Sequence, residues 1–113
     1  MELFRSNTGV FVAIMQNSLD YDYLKIGSGI NGTSYIIANN ISYTFDFHGP
    51  SCGTDTGCSS SIYAINQAVD NMRLGACEAA VVCSAHANFF PHDSVEFTKL
   101  GVLNPEGRYV YYS

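Results

Sequence analysis

The residue best placed to do chemistry is Cys58, in the run Asp55-Thr56-Gly57-Cys58-Ser59-Ser60-Ser61. This run lies between a strand-like stretch and an amphipathic helix, so the thiol comes at the first turn of that helix. Unpaired N–H groups and the positive end of the helix dipole favour thiolate over thiol at such a position. The sequence therefore predicts a nucleophile at Cys58. The alternative is a buried structural cysteine, which behaves as a small hydrophobic residue.

The helix that positions Cys58 is predicted by the spacing of apolar residues. They recur at steps of four, three, four and three, which places on one face Cys58, Ile62, Ile65, Val69 and Met72. Arg73 and Gly75 supply the features of a helix C terminus. We predict a helix over residues 59–74 whose apolar stripe is buried, with Gln67 on the opposite face. The Cys58 sulfur should then point into the interior and be reached through a pocket.

The rest of the chain predicts an α/β order of elements. Apolar and β-branched runs predict strands at residues 10–15, 51–55 and 79–85, and a short helix is predicted at residues 33–40. Residues 17–25 are polar and rich in tyrosine, which favours a loop with some helix. The strand, helix and strand around Cys58 should form a βαβ unit with a right-handed crossover. Cys58 would then lie at the carboxyl end of its strand, the usual location of sites in such sheets.

Four ordered motifs cover most of the chain: Thr8-Gly9-Val10-Phe11-Val12, Ala38-Asn39-Asn40-Ile41-Ser42-Tyr43 with Gly49-Pro50-Ser51, the run around Cys58, and residues 100–108. In this order they resemble the ketosynthase (β-ketoacyl synthase) domain of fatty acid and polyketide synthases. That family has its nucleophile in an Asp-Thr-Ala-Cys-Ser-Ser-Ser motif, so Gly57 replaces the alanine. Ser61-Ile62-Tyr63-Ala64 and residues 97–103 most resemble the animal fatty acid synthase type, which favours fatty acid over polyketide chemistry.

The resemblance implies a decarboxylative Claisen condensation on an α/β, thiolase-like fold. Cys58 would accept an acyl group as a thioester from the phosphopantetheine of an acyl carrier protein, and the enolate of a malonyl unit would then attack that thioester. The backbone N–H of Cys58 would serve as an oxyanion donor. No directly bound cofactor and no metal are implied. The implied partners are the acyl carrier protein, other synthase domains and a second copy in a homodimer.

The family also uses two histidines, in His-Gly-Thr-Gly-Thr and Asn-x-Gly-His motifs that this sequence lacks. His48, His86 and His92 lie in no matching context, and we interpret them as surface or hydrogen-bonded histidines. The resemblance therefore predicts that residues 1–113 are an interior fragment of the N-terminal half of a ketosynthase. Since the two halves of the family fold pack together, such a fragment should leave apolar surface uncovered.

Composition excludes several classes of function. The formal charge is −5, with five Lys and Arg in total and no basic cluster, which excludes nucleic acid and anionic membranes as expected partners. A hydrophobic content of 47% is too high for a disordered chain. The apolar run at residues 10–15 is too short for a signal or membrane segment, so a cytoplasmic location is expected. The spacings of the four cysteines match no zinc motif, and we expect all four to remain thiols.

Other residues allow two readings. Asp55 suggests a general base, but a carboxylate at a helix start more commonly caps N–H groups and fixes the turn. The glycines at residues 27–32 match a G-x-G-x-x-G dinucleotide pattern, although the preceding segment is too polar for a central parallel strand. Ser59 to Ser61 are typical of helix starts, and Arg108 of a surface or interdomain ion pair.

Two other functions compete with the condensing enzyme. One is a catalytically inactive ketosynthase remnant that acts as a dimerisation or interaction module. The other is a thiol hydrolase with a Cys–His pair drawn from His48, His86 or His92.

Overall fold

The computed structural model describes residues 5–15, 34–86 and 91–108. Its elements, in chain order, are β1 (Thr8–Ile14), α1 (Ser34–Phe45), β2 (Ser51–Thr54), α2 (Ser60–Arg73), β3 (Ala79–Ala85) and α3 (Pro91–Lys99). The predicted α/β order is confirmed, and the three strands and α2 lie where the sequence predicts them. Helix α1 is longer than predicted. The predicted loop at residues 17–25 and the glycine motif at residues 27–32 lie outside the described residues.

The three strands form one parallel sheet in the order β2-β1-β3. Phe11 of β1 pairs with Cys52 on one side and with Val82 on the other. The βαβ unit around Cys58 is therefore present, but it crosses over β1 because β2 and β3 are not neighbours. Since all the strands are parallel, their carboxyl ends lie along one edge of the sheet.

Strand β1 lies at the centre of the described fold. Its residues point alternately to the two faces of the sheet, and each face is covered by one helix. Phe11 and Ala13 pack against alanines of α2, whereas Val10 and Val12 pack against Ala38 of α1. Val10 and Phe11 are fully buried. This cover on both faces explains why β1 reads as a continuous apolar run, as parallel strands commonly do.

The prediction that the apolar stripe of α2 is buried is wrong. The helix buries Ser60, Ala64 and Ala68, whereas Ile62 is 67% exposed and Ile65 is 48% exposed. Small alanine side chains allow the helix to approach the sheet closely, so the larger apolar residues lie on other faces. Uncovered apolar surface was expected for part of a larger fold, and the exposed members of the stripe provide it.

Helix α3 was not predicted, although its boundaries carry recognisable signals. Pro91 begins the helix, where a missing N–H costs nothing, and Gly101 follows it with φ +70°. Within the helix, Lys99 Nζ lies 3.0 Å from Glu96 Oε1, and this hydrogen bond lowers the pKa of the Glu96 carboxyl. The pair is on the surface, where such contacts contribute little stability. Across the described residues, no helix is both long and apolar enough to cross a bilayer.

Candidate active site

A cavity of about 270 Å³ opens at the carboxyl edge of the sheet, between the ends of β1 and β3 and the start of α2. Ala13, Met15 and Phe97 supply apolar side chains to its lining, and Cys58 and His86 supply a thiol and an imidazole. This volume is near the lower end of the range for small-molecule sites. The cavity therefore combines an exposed thiol with apolar side chains.

Cys58 is exposed and lines this cavity. The prediction that its sulfur is buried in the interior is wrong, because Cys58 precedes the first residue of α2 and belongs to the turn, outside the packed face of the helix. All four cysteines are free thiols, as expected. Cys77 is buried, and Cys52 and Cys83 are partly buried. Cys58 is thus the most accessible thiol of the four.

The turn before Cys58 is fixed by Asp55 and Gly57. The Gly57 N–H donates a hydrogen bond to Asp55 Oδ1 at 3.1 Å. Gly57 has φ +69°, a conformation that residues with a side chain rarely adopt. Asp55 therefore fixes the turn, as the structural interpretation of this residue predicted. Its carboxylate holds a backbone N–H two residues along the chain.

Two serine hydroxyls close the same turn. Ser59 Oγ donates to the Thr56 carbonyl oxygen at 2.9 Å. Ser60 Oγ accepts the Thr56 N–H at 2.8 Å and donates to the Gly57 carbonyl oxygen at 2.6 Å. Ser60 is buried, whereas Ser59 is exposed. The interpretation of Ser59 and Ser60 as residues that hydrogen-bond locally at the helix start is confirmed, and Ser61 lines the cavity.

A further hydrogen bond connects the strand before the turn to the helix after it. Thr54 Oγ1, at the end of β2, donates to Gln67 Oε1 at 2.6 Å. Thr54 is buried, and Gln67 is half-buried rather than on the outer face that the sequence predicted. This contact joins β2 to α2, the two elements that flank the turn, and so it fixes the position of one element relative to the other.

The three histidines lie in different surroundings. His48 Nε2 is 3.3 Å from Asp46 Oδ1, and His92 Nε2 is 3.8 Å from Glu96 Oε1, so both are surface histidines with acidic neighbours, as interpreted from the sequence. His86 is also exposed, but it follows β3 and lines the same cavity as Cys58.

Arg108 forms a loose surface ion pair, with its Nε 3.9 Å from Glu106 Oε2. It follows a turn in which the Gly107 N–H donates to the Asn104 carbonyl oxygen at 2.9 Å. Within the part of the chain that the structure describes, no group of three or more His, Cys, Asp or Glu residues is placed to hold a metal ion.

The sequence indicated Cys58 and offered His86 only as one of three histidines for a Cys–His pair, whereas nothing in it placed Phe97 near the cysteine. His86 follows β3 and Phe97 lies in α3, and both are far along the chain from the cysteine turn. No local motif marks either residue as part of a site. A prediction that β3 lies parallel to β1 would have placed His86 near the site, because the carboxyl ends of parallel strands lie at one edge of the sheet.

The family model for the N-terminal domain of β-ketoacyl synthase matches residues 1–113. Among curated proteins, the chain is 42% identical over 117 residues to a probable polyketide synthase 1 of Dictyostelium discoideum, covering 95% of this chain and 4% of that protein. It is 41% identical over 108 residues to the fatty acid synthase of Anser anser anser, covering 90% of this chain and 31% of that protein. Most of the similar proteins are polyketide synthases.

The solved structures that resemble this chain are also ketosynthase domains. An oxazolomycin ketosynthase domain of Streptomyces albus superimposes with a TM-score of 0.76 at 34% identity, covering 92% of this chain and 19% of that one. The ketosynthase from module 6 of the bacillaene synthase of Bacillus subtilis gives a TM-score of 0.78 at 28% identity, covering 94% and 18%. The chain thus spans less than a third of the length of each of these proteins.

Proposed function

The chain belongs to the β-ketoacyl synthase family, and from that premise we propose that it supplies the cysteine nucleophile of a condensing enzyme. The observation that carries the proposal is the position of Cys58. It is the exposed member of four free thiols, it lines a cavity at the carboxyl edge of a parallel sheet, and it comes two residues before the start of α2. Reactive cysteines occupy accessible positions of this kind, whereas buried structural cysteines are inert.

The proposed reaction has two steps. First, the Cys58 sulfur attacks the carbonyl carbon of an acyl thioester, the bond from that carbon to the carrier sulfur breaks, and the carrier leaves as a thiol with the proton that Cys58 gives up. Second, a malonyl thioester loses carbon dioxide, and its enolate carbon attacks the acyl-Cys58 carbonyl. A carbon–carbon bond forms, and Cys58 leaves as a thiolate that takes up a proton. A thiol suits both steps because it is nucleophilic when ionised and leaves readily.

We assign the backbone N–H of Cys58 as a donor to the thioester oxygen. Both steps develop negative charge on that oxygen when its carbonyl carbon becomes tetrahedral, and a fixed N–H stabilises the charge. The turn around Cys58 supports this role because Asp55 accepts a hydrogen bond from its backbone, and Ser59 and Ser60 donate hydrogen bonds to it.

The proposed partners follow from the same family membership. We propose that the acyl and malonyl groups arrive on the phosphopantetheine of an acyl carrier protein, and that the working protein is a cytoplasmic homodimer with other synthase domains. The motif resemblance favours fatty acid synthesis, whereas most similar proteins are polyketide synthases. The proposal is therefore restricted to the condensation that both classes share.

A cysteine-directed electrophile tests whether Cys58 forms a working site. We expect a limiting amount of such a reagent to modify Cys58 before the other three cysteines, because Cys58 is exposed and the others are buried or partly buried. Mass spectrometry of proteolytic peptides locates the adduct. The matched control is the same protein unfolded in urea, in which the four thiols should react at similar rates. Equal labelling in the native protein would instead support the inactive remnant.

A Cys–His hydrolase is the second candidate, and one observation favours it: His86 lines the same cavity as Cys58. If the protein is a condensing enzyme, acyl-Cys58 should persist in water until a malonyl thioester is added. If it is a hydrolase, the acyl group should be released to water, and His86→Gln should slow that release. Quenched time points of the acyl-enzyme, measured by intact-protein mass spectrometry, distinguish the two. His92→Gln is the matched control, since His92 lies on the surface of α3 beside Glu96.

A further inference from the structure

We infer that Ser60 is a positioning residue that sets the direction of the Cys58 N–H. The inference rests on the proposed function, in which that N–H binds the thioester oxygen. Ser60 has no part in the bond changes of the proposed reaction. It acts through the peptide group between Gly57 and Cys58.

The Gly57 carbonyl oxygen accepts two hydrogen bonds from Ser60. The hydroxyl donates to it at 2.6 Å, and the Ser60 N–H donates at 3.2 Å. Ser60 is only 4% exposed and Gly57 is partly buried, so water competes poorly for these hydrogen bonds. Hydrogen bonds in such surroundings are stronger than in solvent and polarise the groups they join.

The Gly57 carbonyl and the Cys58 N–H belong to the same planar peptide unit. In a trans peptide the C=O and N–H bonds point in opposite directions, and the described residues contain no cis peptide. When the Gly57 carbonyl oxygen is held toward Ser60, the Cys58 N–H must therefore point away from Ser60. Two donors on the oxygen also draw electron density from the peptide nitrogen, which makes the N–H a better donor.

A second contact of the same hydroxyl holds the residue before Gly57. The Thr56 N–H donates to Ser60 Oγ at 2.8 Å. A single hydroxyl thus binds the chain on both sides of Gly57, the residue with most freedom to rotate because it has no side chain. Removing the hydroxyl would leave the Cys58 peptide plane held only by the longer backbone bond from the Ser60 N–H.

Two reactions of Cys58 separate this role from a general loss of structure. Acyl transfer from an acyl N-acetylcysteamine thioester develops an oxyanion, whereas alkylation by iodoacetamide displaces iodide at a saturated carbon and develops none. In the polypeptide expressed from its own gene, we expect Ser60→Ala to lower the rate constant of acyl transfer at saturating thioester by about tenfold or more. The alkylation rate should change by less than about twofold, since Ser60→Ala leaves the Cys58 thiol exposed at the cavity and alkylation needs no donor to an oxyanion.

Two further variants complete the experiment. Ser60→Thr keeps the hydroxyl and should restore acyl transfer to near the wild-type rate. Ser42→Ala is the matched control, because Ser42 also has a buried Oγ, but one with no hydrogen-bond partner among the described residues. It should leave both reactions unchanged.

The outcomes separate this inference from the proposed function. Equal slowing of acyl transfer and alkylation in Ser60→Ala would overturn the role, as would acyl transfer at the wild-type rate. The role would also be overturned if Ser60→Thr folds but transfers the acyl group tenfold more slowly than the wild type. This second variant serves as the test if Ser60→Ala does not fold. If the wild-type protein forms no acyl-Cys58 at all, the proposed function fails together with this role.

Discussion

Cys58→Ala is expected to abolish acylation of the protein by acyl thioesters. The other three thiols are buried or partly buried and lie outside the cavity, so none can replace the lost nucleophile. Removal of the nucleophile from a covalent enzyme typically lowers its rate by several orders of magnitude, and we expect a loss of at least about a thousandfold. Intact-protein mass spectrometry after incubation with an acyl N-acetylcysteamine thioester measures the acyl adduct directly.

Cys83→Ala is the control for this experiment. Cys83 lies in β3, packs against the Val10 and Val12 cluster and takes no part in the proposed chemistry. This variant should be acylated at the wild-type rate. Acylation of Cys58→Ala at a rate close to wild type would show that another residue accepts the acyl group, and the assignment of Cys58 would be wrong.

Gly49→Ala is expected to destabilise the native sheet strongly. A Cβ atom at this position would lie 2.5 Å from the Thr8 carbonyl oxygen and 2.6 Å from the Gly9 nitrogen. Both are backbone atoms of β1, the central strand, so neither can move without disturbing the core. The Gly49 N–H also donates to the Thr8 carbonyl oxygen at 3.1 Å, which holds the two segments together.

Overpacking against a fixed backbone costs about 3 kcal/mol or more, a large part of the stability of a domain of this size. Urea denaturation followed by circular dichroism measures the loss. Gly107→Ala is the matched control, because a Cβ there meets open space and only the positive φ opposes it. That variant should lose about 1 kcal/mol. Similar losses in the two variants would contradict a steric role for Gly49.

The sequence predicted the strands and α2 well because their signals are local. Strands β1 and β3 are continuous apolar runs, and the features of a helix C terminus at Arg73 and Gly75 are close to the observed end of α2. Periodicity failed for the buried face of that helix. The hydropathy pattern predicted that Ile62 and Ile65 are buried. In the structure, Ala64 and Ala68 are buried instead, because small side chains allow α2 to approach the sheet closely. Size at the contact, which a hydropathy pattern does not include, decided the orientation.

For the site, the sequence indicated the nucleophile and the turn, and the structure supplied the neighbours. Cys58 and Asp55 lie three residues apart in one local motif, so the sequence alone shows that they belong to the same turn. The double hydrogen bond of Ser60 on Gly57 depends on the φ of a single glycine, and His86 reaches the cavity only through strand alignment. Such features depend on three-dimensional placement, which no local residue pattern expresses.

The strand order β2-β1-β3 also has a consequence for synthesis on the ribosome. Of the three described strands, the ribosome makes the most apolar one, β1, first. Both of its described pairing partners follow much later, and the last pair joins Ile14 to Ala85. Until β3 has emerged from the exit tunnel, β1 lacks one partner and remains exposed to other nascent chains. Such long-range pairing slows folding and increases the risk of aggregation. We therefore expect β1 to be the segment of the described chain that most needs protection by a chaperone during translation.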